Sequence, residues 1–134
     1  MDLSALNVQE ASSKPRRFVL RHPGTDEPTD VAFLVLGSDD PEIVAKNKEL
    51  NRKRMTSKKR ADDPYEEVQS RKREMVLAAT VGWENFECKD EKNGLDISGE
   101  FSKDKLAKVI ALPGYAFIAD QIFEFFASRA NFFD

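Results

Sequence analysis

Few side chains in this 134-residue sequence are of the types that catalyse reactions. His22 is the only histidine and Cys88 the only cysteine, and no catalytic motif surrounds either one. A serine or cysteine triad would have to be built around these two residues, because it needs an oriented imidazole beside its nucleophile. His22 precedes Pro23, where a solvated turn residue is the simpler interpretation. A single cysteine also excludes an intrachain disulfide and a multi-cysteine metal site.

Two pairs of acidic residues are the remaining candidates for acid–base or metal chemistry. Asp39-Asp40 and Asp62-Asp63 each come directly before a proline. An aspartate at that position caps a helix, proline is favoured at the first helical residue, and carboxylates suit the positive end of the helix dipole. The sequence also contains no phosphate loop, dinucleotide fingerprint, EF-hand spacing or nucleophile elbow. We therefore expect no enzymatic activity, no cofactor and no metal site.

The strongest charge feature is a basic run over residues 46–60. It carries a net charge of +7, with Glu49 as its one carboxylate, whereas the whole chain carries −3. Its cations are Lys46, Lys48, Arg52, Lys53, Arg54, Lys58, Lys59 and Arg60. They could form a solvated helix face, a docking surface for an acidic protein partner, or a nucleic-acid site. The acidic chain and the absence of interleaved aromatic residues argue against nucleic acid, so docking is our functional hypothesis.

Six phenylalanines lie in the last 21 residues. At about 100° per residue, Ile118, Ile122, Phe125 and Phe126 share one face of a helix, as in any helix that faces a core. Phe123 falls outside that face, and Phe132 and Phe133 lie near the end of the sequence. We predict that these last three rings form an apolar surface for a partner or for another copy of the chain.

Turn and capping residues divide the chain into elements. Residues 1–15 are polar and end in Pro15, which predicts a flexible N-terminal arm. Residues 16–134 are predicted to form a single α+β domain. Its elements are a hairpin over residues 17–37 and helices over residues 41–60, 64–81, 103–111 and 115–131, with Asp40, Asp63 and Ser102 as helix caps.

The predicted fold is therefore mainly helical, with an N-terminal β-hairpin packed on about four α-helices. The second strand of the hairpin is apolar on both faces, so other elements must cover it. The residues predicted to form the core are Phe33, Val68, Met75, Trp83, Phe86, Ile118, Ile122, Phe125 and Phe126. No signal peptide and no apolar run long enough to cross a bilayer is present, so we expect an intracellular protein without membrane attachment.

The order of these features resembles the tail assembly chaperones of long-tailed, siphovirus-type bacteriophages and prophages. The similarity extends over residues 16–133. It rests on the hairpin PGTDEPTDVAFLVLGSDDPE, the basic helix, the segment GWENF, the helix start FSKDKL and the ending QIFEFFASRANFF. The resemblance implies a non-enzymatic factor of the host bacterial cytoplasm that binds the tape-measure protein and helps to recruit tail-tube subunits.

Two other functions fit the same residues. One is a structural virion component of a phage, such as a head-completion, neck or tail protein. The other is a small nucleic-acid-binding regulator, for which the basic run would be the contact surface. The opposite charges of the basic run and the rest of the chain also raise self-association as a hypothesis.

Overall fold

The computed structural model describes residues 1–56 and 64–133 of the chain. It confirms a mainly helical α+β fold in which an N-terminal hairpin packs against helices. The described elements, in chain order, are α1 (Val8–Ser12), β1 (Arg16–Arg21), β2 (Pro28–Val35), α2 (Pro41–Thr56), α3 (Pro64–Ala79), β3 (Thr80–Glu84), β4 (Cys88–Asp90), β5 (Leu95–Ile97), α4 (Lys103–Ile110) and α5 (Ala116–Ala127). Short 3-10 turns occupy Leu3–Leu6, Glu91–Asn93, Pro113–Tyr115 and Arg129–Phe132.

The hairpin gains a third strand that the sequence did not predict. Strand β2 pairs antiparallel with β1 on one side and with β3 on the other, so that Phe33 lies opposite both Phe18 and Trp83. Residues 80 and 81 were predicted to continue helix α3, but the helix ends at Ala79. The Thr80 hydroxyl donates to the carbonyl of Val76 at 2.8 Å and satisfies one of the last helical acceptors. Because the chain then continues as β3, the second edge of β2 is paired.

The core lies between the three-stranded sheet and the last three helices. Among the residues predicted for it, Phe33, Met75, Phe86, Ile118, Ile122 and Phe126 are buried. Trp83 and Phe125 are half-buried and pack against the cluster. The prediction that Val68 belongs to the core is wrong, because its side chain is 58% exposed. The buried residues of α3 begin at Met75, so only the C-terminal part of this helix contributes to the core.

Helix α2 attaches to the domain mainly through its first turns and through polar contacts with α3. The Asp40 carboxylate accepts the backbone N–H of Glu42 at 3.0 Å, which is the predicted cap. Ile43 is buried behind it. Further along, Lys46 pairs with Glu74 at 3.0 Å. Residues 57–60 of the predicted helix, and the predicted cap Asp63, lie outside the described residues.

The segment predicted as a flexible arm is helical and is docked at its C-terminal end. Ser12 is buried, and its carbonyl accepts the backbone N–H of Gly37 at 2.9 Å. The Ser13 hydroxyl donates to Asp40 Oδ1 at 2.7 Å. Gly37 is required at this contact, since a Cβ there would lie 2.5 Å from Ser12 Oγ. Leu3 and Leu6 remain exposed, and flexibility of residues 1–15 stays a prediction.

The end of the chain folds back instead of continuing α5. The helix ends at Ala127, four residues before the predicted end, because Ser128 takes an extended conformation. Arg129 then forms a two-point ion pair with Asp39, at 2.7 and 3.0 Å. The Asn131 side chain donates to the carbonyl of Phe125 at 2.9 Å. These contacts turn Phe132 into the core, where it is 1% exposed.

Candidate docking groove

Helices α2, α3 and α5 enclose an apolar cleft, here called the docking groove. Helix α3 lies between the other two and contacts both. The cleft has a volume of about 430 Å³, which lies in the usual range of binding pockets. Its lining residues are Ser38, Val44, Asn47, Lys48, Val68, Arg71, Lys72, Met75, Phe123, Phe126 and Ala127.

The floor and walls of the docking groove are apolar side chains that the core leaves partly uncovered. Met75 and Phe126 are buried at its base, whereas Val44 and Phe123 are half-buried on its two sides. The ring of Phe123 packs edge-on against Phe126, with centroids 5.0 Å apart. Val68 continues the apolar surface onto the exposed part of α3. An apolar surface of this kind is the usual mark of a binding site.

The rim of the docking groove is cationic. Its lining contains three basic residues, Lys48, Arg71 and Lys72, and no carboxylate among the described residues. Lys72 pairs with Asp120 at 3.0 Å, and its Nζ lies 5.7 Å from the centre of the Phe123 ring. Arg71 donates to the side-chain oxygen of Asn47, which is uncharged. The groove therefore combines apolar contact area with a positive edge.

Among its described residues, the basic run predicted as a docking surface contributes only Lys48 to this groove. Lys46 pairs with Glu74, and this contact raises the pKa of its ammonium group. Lys53 pairs with Glu49 at 3.1 Å, and Arg54 with Glu67 at 3.6 Å. Arg52 is exposed. The described cations of the basic run other than Lys48 thus do not line the groove, and Lys58, Lys59 and Arg60 lie outside the described residues.

A larger cleft of about 680 Å³ lies between α2 and α3 and shares Val68 and Arg71 with the docking groove. Its walls carry charges of both signs, including the Arg54–Glu67 pair. Oppositely charged side chains that already compensate one another offer little to a partner. The smaller groove is therefore the better candidate, because its floor is apolar and the charged side chains that line it are all basic.

The three phenylalanines predicted for a partner surface have different positions. Phe123 forms one wall of the docking groove. Phe132 is fully buried, so the prediction that it lies on a partner surface is wrong. Phe133 is 37% exposed and lies beside the N-terminal segment, in a shallow cleft lined by Ala11 and Lys14. The sequence could not place Phe123 and Lys48 in one groove, since their common position depends on how α2 and α5 pack on α3.

The groove also contains residues that the sequence analysis did not assign to it. Arg71, Lys72 and Met75 follow Val68 at helical spacing and so lie on neighbouring positions of one helix face. Val44 and Lys48 repeat the same apolar–basic spacing on α2. An apolar residue followed four positions later by a cation is the signal that could have identified this surface.

The described residues contain no group of three or more His, Cys, Asp or Glu side chains that could hold a metal ion. His22 is exposed in the hairpin turn, where its Nδ1 accepts the backbone N–H of Gly24 at 3.0 Å.

The Tyr115 hydroxyl donates to Asp90 Oδ2 at 2.5 Å. This bond lowers the pKa of Asp90 and raises that of Tyr115. It ties the turn before α5 to strand β4, and neither residue lines the docking groove.

A scan of protein-family models, a search of curated proteins and a search of solved structures each found no match. Within the described ranges, no single helix is long and apolar enough to cross a bilayer. Lys103–Ile110 and Pro113–Ala127 reach that length and apolar character only when taken together, and the two are bent by 105° relative to each other.

Proposed function

We propose that this protein is a non-enzymatic tail assembly chaperone of a long-tailed phage or prophage, and that it binds the tape-measure protein. The observation that supports the proposal is the docking groove, an apolar cleft among three helices with a basic rim. The family enters through the sequence resemblance alone. The groove supplies a means of binding, because an amphipathic helix can place its apolar face in such a cleft.

The charge distribution of the chain is compatible with this role. The whole chain carries −3, which favours solubility of a complex with an apolar client. The positive rim of the docking groove would orient the client during encounter, since complementary charge mainly increases association rate and specificity. Recruitment of tail-tube subunits and action in the host cytoplasm are parts of the proposal that follow from the resemblance.

Co-expression with the tape-measure protein of the same genome tests the proposal. The chaperone should keep the tape-measure protein in the soluble fraction and should co-purify with it. Val68→Arg places a bulky side chain on the open part of the groove and should abolish both effects. Val81→Arg is the matched control, because Val81 is 40% exposed on strand β3 and does not line the groove.

Two results would contradict the proposal. One is a tape-measure protein that stays insoluble with the wild-type chain present. The other is recovery of this chain from purified, complete phage particles at a fixed ratio to the tail proteins, which would favour a structural virion component over a chaperone that leaves the tail.

A further inference from the structure

We infer that the docking groove selects one chemical class of partner, an amphipathic helix whose apolar stripe is flanked by aspartate or glutamate side chains. This inference rests on the proposed function and specifies the client segment that the chaperone would recognise. It makes acidic flanks a requirement for binding, whereas the proposed function needs only an apolar client helix. The supporting observations are the shape of the exposed apolar strip and the distribution of charge around it.

The apolar strip has the form that a helix would complement. On α3 the spacing of Tyr65, Val68 and Met75 predicts a continuous apolar face, yet the domain buries only its C-terminal end. Tyr65 is 70% exposed and Val68 58% exposed. At one end of the groove the loop before α2 meets α5, where the backbone N–H of Ser38 donates to the carbonyl of Phe126 at 3.1 Å. The uncovered strip therefore extends away from this closed end along the helix axis.

The charge of the rim determines which helix fits. Lys48 is exposed and forms no ion pair within the described part of the chain. The contact between Arg71 and Asn47 leaves the guanidinium charge without a compensating carboxylate at that contact. A helix with acidic flanks would supply carboxylates to both residues. A helix with basic flanks would place like charges against them as the apolar faces closed.

Direct binding of labelled peptides to the full-length chain tests the inference. The first probe is a fluorescein-labelled peptide of about five helical turns, with leucines at i, i+3, i+4 and i+7 spacing and glutamates beside them. The second probe has the same leucines and a lysine in place of every glutamate. Fluorescence anisotropy should give at least about tenfold tighter binding of the acidic peptide, and the preference should shrink as salt is raised.

Charge reversal at the rim supplies the site-specific control. Lys48→Glu should abolish or invert the preference between the two peptides, and the milder Lys48→Gln should reduce it. Lys108→Glu is the matched control, because Lys108 is exposed on α4 and does not line the groove. Circular dichroism of each variant verifies that it remains folded.

Equal binding of the two peptides, tighter binding of the lysine peptide, or binding of neither peptide would overturn the inference. So would a preference that Lys48→Glu and Lys108→Glu change by the same amount. Light scattering gives the oligomeric state of the chain during these measurements. If only oligomers prefer the acidic peptide, the groove would be assigned to a second copy of the chain, and the inference would also be overturned. If the tape-measure protein is nevertheless kept soluble by the wild-type chain, the proposed function stands and only the charge selection fails.

Discussion

Phe132 is a fully buried residue of the turn that follows α5. It is 1% exposed, and the centroid of its ring lies 5.6 Å from that of Phe125. Phe132→Ala should lower the free energy of unfolding by about 3–5 kcal/mol, because a fully buried ring would be replaced by a cavity. Phe133→Ala should have a much smaller effect, since Phe133 is 37% exposed. Urea denaturation measures the free energy of unfolding of each variant. Equal unfolding midpoints for the two variants would contradict the burial of Phe132.

The ion pair between Arg129 and Asp39 makes part of the stability depend on pH. Hydrogen bonds from the Arg129 guanidinium lower the pKa of Asp39 below its ordinary value of 3.8. A lowered carboxyl pKa means that the folded state binds the proton less readily than the unfolded state. The stabilisation is therefore complete above pH 3.8 and is lost as the pH falls through the lower pKa of the folded protein.

Arg129→Gln tests this dependence. At neutral pH the variant should melt at a lower temperature than the wild type. The two melting temperatures should converge below pH 3.8, because the protonated Asp39 no longer forms the ion pair. Arg52→Gln is a control of similar chemistry on α2, away from Asp39. A difference between wild type and Arg129→Gln that persists unchanged into acid would show that the carboxylate charge is not its cause.

At the scale of the elements, α3 combines a structural part with an exposed part. Met75→Ala should lower the free energy of unfolding by about 2–5 kcal/mol, since Met75 is buried at the base of the groove. Val68→Ala should change it by less than about 0.5 kcal/mol, because surface substitutions of this kind are nearly neutral. Thermal or urea unfolding distinguishes the two, and a large effect of Val68→Ala would place that residue in the core after all.

Element starts were more predictable than element ends, for a physical reason. The starts at Pro41 and Lys103 depend on local contacts, and the Ser102 hydroxyl accepts the N–H of Lys105 at 3.1 Å as a cap should. The end of α3 depends on a distant strand. Thr80 pairs with Val35, 45 positions earlier in the sequence, and no local pattern specifies that partner. Tertiary pairing therefore decided where the helix gave way to strand β3.

At the scale of the whole molecule, the docking groove likewise combines features that local sequence predicts with features that only tertiary packing determines. The sequence identified a basic segment and a surplus of phenylalanines, and the groove contains Lys48 and Phe123. It did not identify Arg71 or Lys72 as part of one surface with them. These residues come from three helices that are remote in sequence, so their proximity is a property of the packing. In the described part of the basic run, Lys53 pairs with Glu49 on the same helix, and Lys46 pairs with Glu74 on α3.

Helix α1 and the turn that follows α5 contact each other on one side of the domain. Helix α1 packs against the turn that contains Phe132, and Arg16 donates to the Phe132 carbonyl at 3.0 Å. Ser13 bonds to Asp40 at the start of α2. Removal of residues 2–6 deletes exposed side chains, keeps Asn7 as the cap of α1, and should leave the melting temperature nearly unchanged.

Removal of residues 2–14 should instead lower the melting temperature by roughly 5 °C or more, because it uncovers Phe132, leaves the Gly37 N–H without its acceptor and removes the Ser13 hydroxyl from Asp40 Oδ1. Differential scanning calorimetry of the two truncated chains and the full-length chain supplies the comparison. If both truncations melt like the full-length chain, the N-terminal segment is the flexible arm that its composition predicts. A loss confined to the longer deletion would instead establish that α1 closes the core over the C-terminal turn, beside the loop where Ser38 lines the docking groove.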